Sequence, residues 1–117
     1  MKKILPWVSL GLAIGLTGCA SQPNTLYHWG NYPQQTYLGF NQPEKASPAK
    51  QISVLEADIE KARAKNQAIP PGLYAHLGLL YSHTDTQKAA QYFELEKQSY
   101  PEASVLMNRL LAQLKAN

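Results

Sequence analysis

The sequence has one cysteine, few charges and no run of basic residues, and each of these absences excludes a class of protein. A single cysteine forms no intrachain disulfide and no thiolate metal cluster. Charged residues make up 16% of the 117 residues, and the net charge of +3 includes Lys2 and Lys3. Without these two lysines, nine basic residues balance eight acidic ones. Because the sequence has no run of Lys and Arg that could contact successive phosphate groups, the composition argues against a nucleic-acid partner.

The amino terminus has the layout of a bacterial signal peptide. Two lysines follow Met1, and residues 4–16 form an uncharged, mainly apolar run of 13 residues. A membrane-spanning helix is the alternative, but 13 residues at about 1.5 Å each cover only ~20 Å of a ~30 Å hydrocarbon layer. We therefore predict that residues 1–18 are a cleaved leader.

The last four residues of this region, Leu16-Thr17-Gly18-Cys19, resemble the lipobox of bacterial lipoproteins. The resemblance implies cleavage before Cys19 and attachment of a diacylglyceryl group to its thiol. A chance cysteine at the end of an ordinary signal peptide is the alternative, and the flanking context favours lipidation.

Lipidation would make the bilayer a partner of this protein, since several acyl chains hold a protein at a membrane without a spanning segment. Lipoprotein sorting rules retain a protein in the inner membrane when Asp follows the modified cysteine. Here Ala20 follows Cys19. The resemblance therefore implies a location at the outer membrane, facing the periplasm.

Residues 20–43 contain no Asp, Glu, Lys or Arg and are interrupted by proline and glycine. This composition predicts an irregular tether over residues 19–46, and an isolated His28 there would be solvated and without chemistry. Two interpretations of its aromatic rings are open: they pack on the chain's own helices, which we favour, or they contact a partner or lipid headgroups. The rings are Tyr27, Trp29, Tyr32, Tyr37 and Phe40.

The remainder, residues 47–117, has the apolar spacing of a helical domain. Ser47 and Pro48 form a helix start, which predicts a first helix over residues 48–66. Acidic residues precede basic ones on that helix, so Asp58 and Lys61 are expected to pair on a solvated face. Further helices are predicted at about residues 72–83 and 86–99. After residue 101, an amphipathic helix carries a stripe of Ala103, Leu106, Met107, Leu110, Leu111 and Leu114.

The middle of this domain resembles a tetratricopeptide repeat. The residues that follow the order of its signature are Tyr74, Leu77, Gly78, Tyr81, Ala89, Phe93 and Pro101. Tyr74 stands where Trp is usual, and the span from Tyr74 to Pro101 is one residue shorter than the consensus. One repeat cannot bury its hydrophobic faces alone, so the flanking helices would cap it. The expected fold is all-α, a short antiparallel stack of one tetratricopeptide-like helix pair between capping helices. An ordinary helical hairpin domain is the alternative, and it is all-α as well.

In the register of such a repeat, the first helix of the pair would line a binding groove. The residues at the groove positions are Ala75, Leu79, Ser82 and His83. This set is apolar and weakly polar. The basic clamp that some such repeats use for C-terminal carboxylates is absent from it, and the groove would be presented to a protein or peptide.

Candidate catalytic groups lack the geometry of an active site. His76 and His83, seven residues apart on one predicted helix, would lie about 10 Å apart and cannot share a metal ion. Ser82, His83 and Asp85 have the residue types of a catalytic triad, but their side chains would point in different directions at a helix end and in the turn after it. Glu94 and Glu96 point to nearly opposite sides of their helix. We therefore predict that the protein is not an enzyme and uses no metal and no cofactor.

The lipobox, the segment Tyr27-x-Trp29-Gly30-x-Tyr32 and the block at residues 70–81 are together similar to a lipoprotein family, domain of unknown function 4810. The resemblance covers nearly the whole chain after Cys19. Members of that family are often encoded beside lipoproteins similar to the curli secretion channel. The resemblance therefore implies a role in an envelope assembly.

Three functional hypotheses follow. The first is an adaptor or assembly factor whose helical stack presents a groove to a protein partner in the cell envelope. The second is a pilotin, a small lipoprotein that escorts a secretin or channel subunit to the outer membrane. The third, less favoured, is a cell-wall-acting enzyme or its accessory that uses Glu94, Glu102 or His83.

Overall fold

The computed structural model describes residues 26–117, which form five α-helices and no strand. The predicted leader, the lipobox and Cys19 lie outside these residues. The all-α class is confirmed. Short 3₁₀ turns at Pro43–Lys45 and Pro101–Ala103 precede the second and the last helix. The helices are α1 (Tyr32–Asn41), α2 (Pro48–Ala64), α3 (Leu73–Tyr81), α4 (Thr86–Ser99) and α5 (Ser104–Ala116).

Helices α2 to α5 lie where the sequence predicts them, because local signals start and stop them. The Ser47 side chain accepts a hydrogen bond from the Lys50 amide at 3.3 Å, and a proline occupies the first turn of α2. Asp85 caps α4 in the same way, accepting from the Lys88 amide at 3.1 Å. Gly72 has a φ of +94°, a left-handed conformation that glycine adopts without strain, and it ends the preceding loop at the start of α3.

The irregular tether predicted for residues 19–46 is wrong for the part that the structure describes, because α1 lies within it. Pro33 occupies the first turn of α1, where a backbone N–H has no intrahelical partner to lose. Pro43 follows the end of the helix, and Gly30 forms the turn before it with a φ of +47°. Gly30, Pro33 and Pro43 therefore mark the boundaries of a helix here, and Gly39 lies within it.

The solvated position predicted for Asp58 is also wrong. Asp58 is 1% exposed, and its carboxylate accepts hydrogen bonds from the backbone amide of Asn31 at 2.7 Å and from its side chain at 3.1 Å. Because the chain before α1 folds back over α2, it covers this carboxylate and replaces the expected pairing with Lys61. The ion pair on the exposed side of α2 joins Arg63 to Glu60 at 2.7 Å.

Two apolar clusters hold the stack together, since burial of apolar surface is the main favourable term in folding. Helices α3 and α4 pack on each other, and the short turn between them makes them antiparallel. The first cluster joins α2 to α3 and contains Leu55, Ile59, Leu73, Tyr74 and Leu77. The second joins α4 to α5 and contains Ala89, Phe93 and Met107. Within residues 26–117, no helix has both the length and the apolar character needed to cross a bilayer.

Candidate functional site

The residues of the repeat-like signature lie at the contact between α3 and α4 and serve packing rather than chemistry. Leu77, Ala89 and Phe93 are each no more than 1% exposed, and Tyr74 is 8% exposed. Tyr81 is half-buried at the end of α3, and Pro101 starts the 3₁₀ turn before α5. The likeness to a tetratricopeptide repeat itself stays a prediction.

Gly78 allows the closest approach of these two helices. A Cβ built on Gly78 would lie 2.5 Å from Cδ1 of Phe93 and nearer still to its Cε1. Real Cβ atoms do not approach a ring carbon so closely, so any side chain here would force the Phe93 ring and α4 outward. Gly78 therefore lets α3 approach α4 directly against the Phe93 ring.

Three of the four predicted groove residues line one depression between α3 and α5. Leu79, Ser82 and His83 form its α3 side, and Leu110 and Leu114 form part of its α5 side, around a volume of about 250 Å³. Ala75 does not line it but packs on the apolar cluster beneath α5. None of the residues around this depression is Asp, Glu, Lys or Arg. We refer to it as the α3–α5 groove.

Ser82 and His83, at the end of α3, differ in whether their side chains are available to a ligand. The Ser82 hydroxyl donates a hydrogen bond to the carbonyl of Leu79 at 2.6 Å, which satisfies it within its own helix end. His83 is exposed, and its imidazole stands at the rim of the groove. His83 is thus the titratable side chain that a ligand in this groove would meet.

The other two histidines are held by side-chain amides. Nε2 of His76 lies 2.8 Å from Oε1 of Gln51, and burial lowers the pKa of His76. Nδ1 of His28 lies 3.1 Å from Oε1 of Gln67, and its backbone amide donates to the carbonyl of Ala68 at 2.9 Å. The prediction of a solvated His28 is therefore wrong. Among residues 26–117, no group of three His, Cys, Asp or Glu is placed to hold a metal ion.

A polar cluster that the sequence did not predict links α2, α3 and α4 around Glu56. Oε1 of Glu56 accepts hydrogen bonds from the hydroxyl of Tyr81 at 2.6 Å and from that of Tyr92 at 2.8 Å. The rings of these two tyrosines stack at 5.7 Å, and Tyr92 also stacks on Tyr74 at 6.0 Å. The ammonium group of Lys88 lies 5.0 Å from the centre of the Tyr81 ring. We refer to Glu56, Tyr74, Tyr81, Tyr92 and Lys88 as the tyrosine cluster.

The tyrosine cluster opens onto a cleft of about 460 Å³ between α2 and α4. Burial, and then the hydrogen bond to Glu56, raise the pKa values of Tyr81 and Tyr92. Both hydroxyls therefore stay protonated at neutral pH and donate to the carboxylate, which makes them poor bases. The cluster ties three helices together, and no signal in the sequence indicates it, because its members lie up to 36 positions apart.

Glu96 has a structural task that explains its burial. It lies on α4, is 3% exposed, and accepts a hydrogen bond from the Gly72 amide at 2.6 Å. Burial raises its pKa, while the backbone amides of Gly72, Ala75 and Tyr74 act in the opposite direction. The carboxylate thus satisfies free N–H groups at the start of α3, where negative charge is favoured by the helix dipole.

The aromatic residues of the predicted tether divide into two groups. Tyr32 packs against the first apolar cluster and lies 6.0 Å from the ring of His76, and Tyr27 lies 6.5 Å from the ring of Tyr100. Tyr37 and Phe40 instead point outward from α1 and are 59% and 82% exposed. Packing on the chain's own helices therefore describes the first group alone.

Trp29 lies between these two groups. Its ring meets that of Tyr27 edge-on at 5.9 Å and stacks on that of Tyr32 at 6.5 Å. It nevertheless remains 42% exposed, and Leu26 before it is 70% exposed.

The groups considered for catalysis are not assembled into one site. His83 lines the α3–α5 groove, whereas Glu94 lines a separate shallow depression with Leu111 and Lys115. Glu102 is exposed in the 3₁₀ turn before α5. The predicted lipidation residues Leu16, Thr17, Gly18 and Cys19 lie outside the described residues.

Comparison with known proteins gives one match. The family model described as domain of unknown function (DUF4810) matches residues 26–110, which include α1 to α4 and half of α5. Comparison with curated proteins and with solved structures found no match. Since the family model covers well over half of the chain, this protein belongs to the family of domain of unknown function 4810.

Proposed function

We propose that this protein is an outer-membrane lipoprotein that acts as a protein-interaction adaptor or assembly factor in the cell envelope. The lipobox-like residues 16–19 support the membrane location, and the helical domain after them supports the adaptor role. No catalytic role is proposed, because the candidate acid and base residues lie on separate surfaces.

The observation that carries the adaptor role is the α3–α5 groove. Its lining is apolar or neutral, and the apolar stripe of α5 continues past it, with Leu106 56% exposed. In a stack of helix pairs, the terminal helix must be covered either by a polar capping face or by a partner. The outer side of α5 is mixed, with Asn108 and Arg109 exposed as well, so it is the groove itself that supports docking of an apolar helix or extended segment of another protein.

The partner to test first is a lipoprotein similar to the curli secretion channel, which the family resemblance suggests. Leu79→Glu should weaken its binding at least about tenfold, because a carboxylate in an apolar groove is desolvated without a partner. Val105→Glu is the matched control, since Val105 is 70% exposed on α5 and does not line the groove. Equal binding by the two variants would contradict the groove as the docking site.

A Cys19→Ser variant separates membrane attachment from partner binding. We expect it to lose the lipid mass at the amino terminus and its membrane location, yet to bind the purified partner as the wild type does. A pilotin role predicts in addition that the partner accumulates in the inner membrane of a strain without this protein. Correct location of the partner in that strain would favour the adaptor over the pilotin.

A further inference from the structure

Helix α1 leaves two of its large apolar or aromatic side chains exposed to water. Its buried residue is Gln35, whereas Phe40 and Tyr37 are its exposed large side chains, at 82% and 59%. Tyr37 and Phe40 are three positions apart, so they share one face of the helix. A soluble helix normally turns its polar side to water, and a cluster of exposed apolar groups marks a contact surface.

The segment before α1 carries two more exposed large side chains and lies nearer in sequence to the predicted anchor. Leu26 is 70% exposed and Trp29 is 42% exposed. No charged side chain occurs from residue 20 to residue 43, so nothing in this region opposes contact with an apolar phase. We refer to Leu26, Trp29, Tyr37 and Phe40 as the aromatic face.

The chain length between Cys19 and the described domain limits where this face can lie. Seven peptide steps separate Cys19 from Leu26, and however these residues are arranged they span at most about 25 Å. An irregular tether over residues 19–46 would have allowed roughly 95 Å between Cys19 and the helical domain that begins at residue 47. Leu26, at the start of the aromatic face, is therefore held within about 25 Å of a membrane-anchored Cys19.

We propose that the aromatic face lies in the headgroup region of the phospholipid bilayer, an inference that rests on the proposed lipid attachment at Cys19. Tyr and Trp combine an apolar ring with a polar group and are enriched in this region of membrane proteins. The face is uncharged, so it requires no anionic lipid. Its mixed apolar and aromatic character fits a lipid surface, and the short chain between Cys19 and Leu26 keeps that surface within reach.

This contact would orient the domain on the membrane. Helix α1 packs on α2 and the 3₁₀ turn after it, whereas α5 packs on α4 and the turn before it. Lipid contact through α1 would therefore leave the α3–α5 groove open to the periplasm. A protein partner and the bilayer would then bind different parts of the same domain.

Trp29 offers a direct test, because the chain from Cys19 onward contains no other tryptophan. The mature chain would be coupled through its Cys19 thiol to a maleimide lipid in vesicles of phosphatidylethanolamine and phosphatidylglycerol. We expect a blue shift of Trp29 emission, quenching by lipids brominated near the headgroup, and protection from aqueous iodide. Uncoupled protein without vesicles gives the reference accessibility.

The double variant Tyr37→Ser/Phe40→Ser should restore iodide quenching of Trp29 on vesicles, because its α1 can no longer hold the face in the headgroup region. Both positions are exposed, so the variant should retain its circular dichroism spectrum. The matched control Val105→Ser/Leu106→Ser removes two exposed apolar residues from α5 and should leave Trp29 protected. Full iodide access in the wild type, or equal loss in both variants, would overturn the proposal.

Other outcomes separate this inference from the proposed function. Protection of Trp29 that appears only after addition of the curli-channel-like partner would make the face a protein interface and overturn the lipid proposal. Because the chemical coupling does not depend on native lipidation, an unmodified Cys19 in protein from cells would refute the proposed anchor without changing the vesicle result. A lipidated Cys19 in protein from cells, together with full access of iodide to Trp29 on vesicles, would support the proposed anchor and refute the lipid contact of the aromatic face.

Discussion

The contact between Asp58 and Asn31 joins residues 26–41, which we refer to as the aromatic segment, to the helical stack. We expect Asp58→Ala to break this contact. Two hydrogen bonds to the carboxylate, at 2.7 and 3.1 Å, would be lost. A hydrogen bond to a charged group contributes roughly 1.5–3 kcal/mol. Because both bonds join the same two residues, we expect their loss together to lower the free energy of unfolding by about 3 kcal/mol. For a domain of this size, that corresponds to a fall in Tm of roughly 12–24 °C.

The assay is denaturant unfolding of the chain from Cys19 onward, followed by circular dichroism and by Trp29 emission. Glu60→Ala is the matched control, since Glu60 lies on the same helix and its ion pair with Arg63 is exposed on both sides. Exposed pairs contribute about 0–1 kcal/mol, so the control should unfold nearly as the wild type does. In Asp58→Ala we expect the Trp29 signal to change before the helical signal, because the aromatic segment detaches first.

Equal stability of the Asp58 and Glu60 variants would refute this reasoning. Gly30→Ala provides an independent check of the same contact. A Cβ on Gly30 would lie 2.7 Å from Cγ of Asp58, and its φ of +47° disfavours any other residue. In this variant too, the Trp29 signal should therefore change before the helical signal, although the carboxylate of Asp58 is still present.

Three further predictions concern packing and pH. Gly78→Val should destabilise the fold by about 2–4 kcal/mol in denaturant unfolding, because its side chain would overlap the ring of Phe93. Met107→Ala should cost about 2–5 kcal/mol and clearly more than Leu110→Ala, because Met107 is 1% exposed whereas Leu110 is only partly buried. Burial lowers the pKa of His76 below 6.5, so protonation favours the unfolded chain. The free energy of unfolding should therefore fall as the pH drops below 6.5, and His76→Gln should reduce that fall.

Each of these predictions has a result that would contradict it. Unchanged unfolding of Gly78→Val would mean that α3 and α4 do not approach as described. Equal losses of stability in Met107→Ala and Leu110→Ala would mean that Met107 is not the most deeply buried residue of α5. For the pH prediction, His83→Gln is the control because His83 is exposed, and a reduced pH dependence in this variant instead would exclude His76 as the cause.

Much of the helical stack could be predicted from the sequence, because its signals are local. Ser47 and Asp85 cap helices through their own neighbours, at a separation of three residues. The apolar spacing of α5 likewise predicted a stripe that includes Met107, which is buried, although Leu106 of the same stripe is 56% exposed. The groove residues were predicted from the register of the repeat that the sequence resembles, and Leu79, Ser82 and His83 do line one depression, whereas Ala75 does not.

The errors concern residues whose partners lie far along the chain. Asp58 looked like one member of a surface ion pair, and Asn31, 27 positions earlier, covers it. Glu56 and Tyr92 meet across 36 positions, and Gly72 and Glu96 across 24. A carboxylate on a solvated face and one that ties two helices together have the same local sequence, so periodicity could not distinguish them.

The sequence by itself determined the helical class and the approximate positions of α2 to α5, because capping and apolar spacing act over three or four residues. Only the tertiary structure decided that residues 32–41 form a helix and that Tyr32 packs inward while Phe40 remains exposed. The physical reason is that proline and glycine are compatible with either the boundary of a helix or an irregular chain. Which of the two forms depends on whether a distant surface, here α2 with Asp58, is available to bind the segment.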